Sequence, residues 1–259
     1  MRKCQVRELG RIAYGPALEL QQQLIAARKA GTVPDHLLLL EHPHVITLGR
    51  NGRQENLLAS DEIMERAGIS FFPTDRGGDV TYHGPGQLVA YPIMDLREWK
   101  RDVGAFVRAV EQTIIDTLAD YGIEAGRIPK LTGVWVGDRL GGAGAAAGGA
   151  GAAAGGAGAA AGGAGAAAGG AGAAKIAAIG VHISRWVTSH GLALNVSTDM
   201  SYFQYIVPCG LTKPVTSMAQ LGIRANLEEV SRSLAAHFGR NFDCEMLYEA
   251  PVLAAERES

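Results

Sequence analysis

Long apolar runs are missing from this chain of 259 residues, and it also lacks a strong charge of either sign. No apolar run approaches the roughly 20 residues that a helix needs to cross a bilayer, and the amino terminus opens onto no signal-like apolar core. The formal net charge is −2, which gives no reason to expect nucleic acid or an anionic membrane as a partner. We therefore expect a cytoplasmic protein that binds neither nucleic acid nor membranes.

Cysteine is scarce as well. The chain has three cysteines, Cys4, Cys209 and Cys244, which are too few and too scattered for a disulfide framework or a zinc site. Cys4 and Cys244 lack a reactive setting, so we interpret both as structural. His42 and His44 have a spacing that could bind a metal ion, but no third ligand cluster accompanies them and a turn explains them better. The sequence therefore predicts a reduced compartment and no metal.

Glycine and alanine, in contrast, are concentrated in one repeat. Residues 141–174 consist of the heptapeptide Gly-Gly-Ala-Gly-Ala-Ala-Ala, in four full copies and a fifth that lacks its last residue. Because no side chain there is larger than a methyl group, the repeat cannot bury enough apolar surface to offset its chain entropy. We predict a disordered insert that interrupts a single domain spanning residues 1–259.

Outside the repeat, the periodicity of apolar residues predicts both strands and helices. The clearest helix covers 102–121, where apolar residues recur at spacings of three and four. Other predicted helices cover 14–28, 61–67 and 226–238. Strands are predicted at 6–10, 36–41, 45–50, 71–76, 79–83, 88–93, 133–139, 175–183 and 191–196, and 133–139 should form a hairpin with 175–183. Strands in adjacent runs, with helices between the groups, predict an α+β fold with a mixed, largely antiparallel sheet packed with helices.

The most informative segment covers 76–88 and holds four glycines between two apolar runs. Glycines in such numbers indicate that the backbone bends sharply or comes close to a ligand. Asp79, Thr81 and His83 alternate as in a strand, so they share one face. The turn predicted at 84–86 then makes the whole segment a polar hairpin.

Two residues in the second half of the chain are candidates for catalysis. Cys209 follows a proline and precedes a glycine, and a thiol attacks as a thiolate when a nearby ammonium lowers its pKa. Lys175 leads into an apolar run, so it either reaches solvent or places an ammonium in a pocket. His83 and His190 could each be a base or a hydrogen-bond donor. From the residues alone, an inert buried Cys209 and structural histidines are the commoner outcomes.

Several motifs together resemble the lipoyl(octanoyl) transferase family, the lipoate biosynthesis B proteins. The motifs are EHPHVITLG at 41–49, RGGDVTYHGPGQ at 76–87, GVWV at 133–136, KIAAIG at 175–180, HGLALN at 190–195 and VPCG at 207–210. The resemblance extends from about residue 9 to about residue 221 and is interrupted only by the repeat. It implies a fold shared with biotin and lipoate protein ligases.

The resemblance also assigns residue roles. It implies that Cys209 is the nucleophile, which carries the acyl group as a thioester, and that Lys175 lowers the pKa of this thiol and relays protons. The substrate-binding residues that it implies are Arg76, Gly77, Gly78, Asp79, Val80, Thr81, Tyr82, His83, Ala178, Ile179, Gly180, Gly191, Leu192 and Ala193. Backbone N–H groups near Gly77, Gly78 and Gly180 are our candidates for holding an oxyanion, and apolar residues around the predicted hairpin would form a tunnel for an eight-carbon chain.

The reaction that the resemblance implies moves an octanoyl group from octanoyl-acyl carrier protein to the lysine amine of a lipoyl domain. Its acceptors are the lipoyl domains of 2-oxoacid dehydrogenase complexes and the glycine cleavage H protein. The conversion of a thioester to an amide has a favourable free energy, so neither ATP nor another cofactor is expected. One alternative is an ATP-dependent lipoate or biotin ligase, which would need no cysteine. The other is a protein that binds acyl chains or lipoyl domains without catalysis.

Overall fold

A computed structural model describes residues 1–137, 172–207 and 213–248 of the chain. The strands are β1 (Arg2–Arg11), β2 (Asp35–Glu41), β3 (Val45–Leu48), β4 (Ser70–Pro73), β5 (Val80–His83), β6 (Gln87–Ile93), β7 (Gly126–Ile128), β8 (Leu131–Val136), β9 (Ala174–Ser184), β10 (Val187–Asn195) and β11 (Cys244–Tyr248). The helices are α1 (Tyr14–Lys29), α2 (Asp61–Arg66), α3 (Val103–Ala119) and α4 (Leu227–Asn241). Within these ranges, every helix is too short or too polar to cross a membrane. Cys209 and residues 141–171 of the repeat lie outside the described residues.

The strands form two sheets. The large sheet has the order β11-β1-β2-β6-β10-β9-β8-β7, and the small sheet has the order β4-β3-β5. In the large sheet β1 is parallel to both of its neighbours, and all the other pairs are antiparallel. The predicted α+β class with a mixed, largely antiparallel sheet is confirmed. Strands β7 and β11 were not predicted.

Helices cover both faces of the large sheet. Asp102 caps α3 by accepting a hydrogen bond from the backbone N–H of Ala105 at 2.9 Å, and α3 and α4 bury their apolar stripes in the main core. That core contains Phe106, Val110, Ile114 and Leu118 of α3 and Val230, Leu234 and Phe238 of α4. Helix α1 covers the opposite face with a smaller core. Its buried positions include Gln21 and Arg28, whereas Leu18, Leu20 and Ile25 are half-buried.

The glycine-rich segment does not form the predicted hairpin. Strand β5 pairs with β3 in the small sheet, whereas β6 lies between β2 and β10 in the large sheet. The turn between them is anchored at Gly86, whose N–H donates to the Glu41 carboxylate at 2.5 Å and whose carbonyl accepts from the N–H groups of Val196 and Ser197. The segment therefore carries the chain from one sheet to the other.

In the sequence, the repeat lies between two strands that are neighbours in the large sheet. Strands β8 and β9 pair in antiparallel fashion, which confirms that the segments on either side of the repeat are partners. Strand β9 begins one residue before Lys175, because Ala174 pairs with Val136, and Ala173 is buried. The prediction of a disordered repeat is therefore wrong for its last residues.

Candidate active site

A cavity of about 400 Å³ is formed by residues of both sheets, a volume in the range of small-molecule sites. Its walls are the glycine-rich segment 76–83 and strands β9 and β10. Helix α1 contributes Tyr14, strand β6 contributes Tyr91, the turn between β7 and β8 contributes Lys130, and β8 contributes residues 131 and 132.

The cavity gathers nearly all of the predicted site residues. The predicted residues that line it are Arg76, Gly77, Gly78, Asp79, Val80, Thr81, His83, Lys175, Ala178, Ile179, Gly180, Gly191, Leu192 and Ala193. Tyr82 does not line it, because its ring packs into the core of the small sheet and its hydroxyl lies 2.7 Å from Nδ1 of His44. Among the predicted substrate-binding residues, Tyr82 is therefore the one that lies outside the cavity lining.

Other lining residues were missed by the sequence analysis. Tyr14, Tyr91, Val107, Lys130, Leu131, Thr132 and Val181 also line the cavity. Tyr14 opens a helix and Tyr91 lies in a continuous buried run, so neither has a local pattern that separates a cavity wall from a core position. Lys130 has a left-handed backbone with φ of 68°, in a turn that follows Pro129.

The glycine-rich segment lies directly against β9. The N–H of Gly77 donates to the carbonyl oxygen of Val181 at 2.9 Å. A Cβ atom on Gly180 would come within 2.9 Å of the carbonyl oxygen of Gly77, so only glycine permits this approach. Because the N–H of Gly77 is already used, its prediction as an oxyanion donor is wrong.

Arg76 holds this segment to the small sheet. Its Nε atom lies 3.1 Å from Oγ1 of Thr47, its Nη2 atom 2.7 Å from the Thr47 carbonyl oxygen and its Nη1 atom 3.0 Å from the Gly77 carbonyl oxygen. Asp79 organises the neighbouring loop in a similar way, since its carboxylate accepts from the backbone N–H of Val80 at 2.7 Å and of Arg53 at 3.1 Å. Both side chains therefore shape the wall of the cavity.

Lys175 lies on a β-bulge. Val134 of β8 is opposite Ala177 and Trp135 is opposite Lys175, so β9 carries one extra residue, Ile176, between them. Bulges redirect side chains and are common beside active sites. The redirected Lys175 is half-buried, and its Nζ atom lies 4.8 Å from the centroid of the Trp135 ring, in a cation–π contact.

The backbone of Lys175 is held from the other side as well. Its N–H donates to the Pro214 carbonyl oxygen at 2.9 Å, and its carbonyl oxygen accepts from the N–H of Thr216 at 2.9 Å. Residues 214–216 therefore add a short parallel pairing to the edge of β9 at this point. Cys209 precedes these residues in the sequence and lies outside the described residues.

Gly133 makes room for the Lys175 side chain. Its φ is +124°, and a Cβ atom there would lie 2.7 Å from the Ala177 carbonyl oxygen and 3.3 Å from Cε of Lys175. We expect Gly133→Ala to lower the free energy of unfolding by about 1–3 kcal/mol, and to slow turnover at least about tenfold because Lys175 is displaced. Denaturant unfolding and steady-state rates measure the two effects.

The matched control is Gly31→Ala. Gly31 also has a positive φ, +72°, but a Cβ atom there would meet nothing within 4 Å. This variant should share the backbone strain and keep its activity. Equal activity in Gly133→Ala and Gly31→Ala would contradict the steric role of Gly133.

Two buried histidines lie beside the cavity. His42 donates from Nδ1 to the Ile12 carbonyl oxygen at 2.7 Å, so its Nε2 atom accepts from the Tyr91 hydroxyl at 2.8 Å. The Nδ1 atom of His83 lies 2.7 Å from Oε1 of Gln87. Burial lowers the pKa of His42 to about 4 and that of His83 to about 3. Both imidazoles are therefore neutral at pH 7.

His190 is a third histidine at the cavity, and it has a strained backbone with φ of 56°. Its Nε2 atom lies 2.6 Å from Oδ1 of Asp75, and its backbone N–H donates to Oε1 of Gln21 at 3.0 Å. Burial lowers the pKa of His190, although the Asp75 carboxylate opposes this. These contacts tie β10 to α1 and to the start of the glycine-rich segment.

The depressed pKa values of His42 and His83 predict an acid-sensitive fold. The unfolded chain takes up protons on these histidines below about pH 6.5, whereas the folded chain does so only near pH 3 to 4. The free energy of unfolding should therefore keep its full value well above pH 6.5 and fall by about 2–4 kcal/mol between pH 7.5 and pH 5. Urea titrations at several pH values measure this slope, and a flat profile over that range would contradict it.

Comparisons with known proteins show the family to which the chain belongs. The chain matches the lipoyl protein ligase A/B catalytic domain family over residues 13–239. It is 67% identical over 255 residues to the octanoyltransferase of Solibacter usitatus, with 98% of this chain and 100% of the relative covered. It is 45% identical over 248 residues to the octanoyltransferase of Koribacter versatilis, with 94% and 86% covered.

Solved structures confirm the predicted likeness to the lipoate ligase fold. A lipoate protein ligase from T. acidophilum with bound lipoic acid is 14% identical, with a TM-score of 0.67 over 95% of this chain and 89% of that one. Lipoate-protein ligase A bound with ATP is 14% identical, with a TM-score of 0.65 over 96% and 90%. At this identity the likeness concerns the fold alone. The family match and the relatives named octanoyltransferase place the chain among the octanoyltransferases, a family of transferase enzymes built on the lipoyl protein ligase A/B catalytic domain.

Proposed function

We propose that the protein transfers an octanoyl group from octanoyl-acyl carrier protein to the lysine amine of lipoyl domains, through a thioester on Cys209. The acceptors are the lipoyl domains of 2-oxoacid dehydrogenase complexes and the glycine cleavage H protein. The observation that carries the proposal is the cavity, which brings Lys175 and the acyl-binding segments implied by the family motifs to one place. The relatives named octanoyltransferase support the same reaction.

In the first half-reaction, the Cys209 thiolate attacks the carbonyl carbon of the octanoyl thioester. The bond between that carbon and the sulfur of the phosphopantetheine arm breaks, and the leaving thiolate takes a proton from the Lys175 ammonium. In the second half-reaction, the acceptor amine attacks the acyl-enzyme, a C–N bond forms, and the C–S bond to Cys209 breaks. The proton that the amine loses returns to Lys175, so the thiolate and the ammonium are both restored.

The other cysteines favour Cys209 as the nucleophile. Cys4 and Cys244 are buried in the main core and do not line the cavity. The neighbouring Cys244 thiol and burial raise the pKa of Cys4, which makes it a poor nucleophile. The described residues end at Val207, before Cys209, and resume at Lys213. Lys213 directly precedes residues 214–216, which pair with Lys175.

The rest of the cavity suits an aliphatic chain. Ile179, Val181, Leu192 and Ala193 supply apolar wall, and Leu131, the first residue of β8, adds to it. Each buried CH₂ group is worth about 0.8 kcal/mol, so a cavity of fixed length can discriminate among acyl chains. We also propose that residues 1–259 form one domain interrupted by the repeat, since β8 and β9, which flank the repeat, are neighbours in one sheet.

Intact-mass measurement tests the proposed reaction. The protein is mixed with octanoyl-acyl carrier protein, without ATP or acceptor. We expect a gain of one octanoyl group, which is lost when a lipoyl domain is added. Octanoyl amide formed only with ATP and free octanoate would instead indicate a ligase. Binding of acyl carrier protein without transfer under either condition would indicate a protein that only binds.

A further inference from the structure

A buried relay of amides connects the cavity to the segment that holds Lys175. Nδ1 of His83 lies 2.7 Å from Oε1 of Gln87, Nε2 of Gln87 lies 2.9 Å from Oδ1 of Asn195, and Nδ2 of Asn195 lies 2.9 Å from the Thr216 carbonyl oxygen. All four residues are buried. The N–H of Thr216 donates in turn to the Lys175 carbonyl oxygen.

The relay has only one consistent direction. The Thr216 carbonyl oxygen can only accept, so the amide nitrogen of Asn195 must face it and donate. The Asn195 oxygen then accepts from the Gln87 nitrogen, which also donates to the Tyr82 carbonyl oxygen at 3.3 Å. The Gln87 oxygen is left facing His83 and can only accept. Nδ1 of His83 therefore carries the ring proton, and Nε2 carries a lone pair.

The Nε2 atom of His83 is open to the cavity. It has no hydrogen-bond partner among the described residues, and it is absent from the buried polar atoms that lack both a partner and solvent. Since His83 is 7% exposed and lines the cavity, the cavity is where this atom can be reached. The Tyr91 hydroxyl does not donate to Nε2 of His83, because the hydroxyl proton is directed at Nε2 of His42.

We propose that Nε2 of His83 accepts a hydrogen bond from an N–H group of the substrate, and that Gln87 and Asn195 are positioning residues that fix the tautomer needed for this. The inference rests on the proposed function, whose substrates offer two such groups. One is the amine of the acceptor lysine, and the other is an amide of the phosphopantetheine arm. An acyl chain alone offers none.

The surroundings keep His83 in this neutral form. Burial, together with the smaller effects of His42, Arg76 and His190, lowers its pKa to about 3, although the hydrogen bond with Gln87 opposes this. Tyr14, whose ring stacks on His83 at 6.4 Å, is uncharged as well, and burial raises its pKa to about 12. His83 is thus a fixed acceptor rather than the donor or base considered from the sequence.

The tautomer can be measured independently of activity. Long-range ¹H–¹⁵N correlation spectra of the histidine-labelled protein at pH 7 should show His83 protonated at Nδ1 and bare at Nε2. Gln87→Leu removes the acceptor that holds the proton on Nδ1, and it should mix or reverse this tautomer. A proton on Nε2 in the wild-type protein, or an unchanged spectrum in Gln87→Leu, would overturn the inference.

A matched pair of variants measures the effect on catalysis. His83→Asn keeps a nitrogen where Nδ1 donates to Gln87 but removes Nε2, so a purely structural His83 would tolerate it. We expect the affected half-reaction to slow about tenfold or more, with partial recovery in His83→Gln, which places an amide near the lost Nε2. His237→Asn is the control, since His237 lies on α4, outside the cavity lining.

Single-turnover rates separate the two sources of the N–H group. Slower acyl loading would assign the contact to the phosphopantetheine amide, and slower transfer from the preloaded enzyme would assign it to the acceptor amine. Rates equal to those of His237→Asn in both half-reactions would overturn the inference. Failure of the proposed function is distinguishable, because the wild-type protein would then form no acyl-enzyme at all.

Discussion

Replacing Cys209 by serine is expected to lower octanoyl transfer by at least about a thousandfold and to remove the mass gain on incubation with octanoyl-acyl carrier protein. A serine hydroxyl has almost no oxyanion at pH 7, and an ammonium beside it cannot supply one, whereas a thiol in the same place ionises readily. The measurement is single-turnover transfer to a lipoyl domain, combined with the intact mass of the donor-treated enzyme.

Cys244→Ser provides the matched control for this prediction. Cys244 is buried in the main core, with its sulfur 3.6 Å from that of Met246, and it does not line the cavity. This variant should lose some stability and keep both the acyl adduct and the transfer rate. An acyl adduct that persists in Cys209→Ser and disappears in Cys244→Ser would refute the assignment of the nucleophile.

The helices and most strands could be predicted because their signals are local. The stripe of α3 follows from the spacing of Phe106, Val110, Ile114 and Leu118, and these side chains do lie in the main core. Alternation along β5 placed Thr81 and His83 on one face, and both line the cavity. The same alternation, applied to Tyr82, would have placed its ring on the opposite face, in the small core.

The failed predictions concern contacts that no local pattern encodes. A glycine-rich turn between two strands fits a hairpin and a crossing between sheets equally well, because strand pairing depends on distant residues such as Glu41 and Val196. The N–H of Gly77 was considered free because its partner, Val181, lies more than a hundred positions away in the sequence. Tyr14 and Tyr91 were missed since a cavity wall and a core position have the same hydrophobic pattern.

The position of Lys175 depends on several independent devices rather than on one contact. The bulge at Ile176 redirects its side chain, Gly133 leaves space for its stem, and the face of Trp135 receives its ammonium. Pairing with residues 214–216 fixes its backbone. Since β9 already begins at Ala174, which pairs with Val136, Lys175 lies within the paired strand rather than at its end.

Lys175→Ala should therefore expose the dependence of the Cys209 thiol on a single positive charge. An ammonium close to a thiolate lowers the thiol pKa, so its removal should move the alkylation midpoint of Cys209 upward by about one pH unit or more. Transfer at pH 7 should fall by about a hundredfold or more, because both the thiolate and the proton relay are lost. Iodoacetamide labelling across pH, followed by mass spectrometry of the Cys209 peptide, measures the midpoint.

Lys100→Ala is the control matched to this experiment, because Lys100 also lies over a tryptophan ring, with Nζ 5.2 Å from the centroid of Trp99, and it lies outside the cavity lining. Loss of a cation–π contact alone should leave the alkylation midpoint where it is. Lys175→Arg keeps the charge but cannot relay protons, so it should retain part of the shift in the midpoint while transfer stays low. Identical alkylation profiles for the wild type and Lys175→Ala would refute the dyad and would leave Lys175 with a structural role against Trp135.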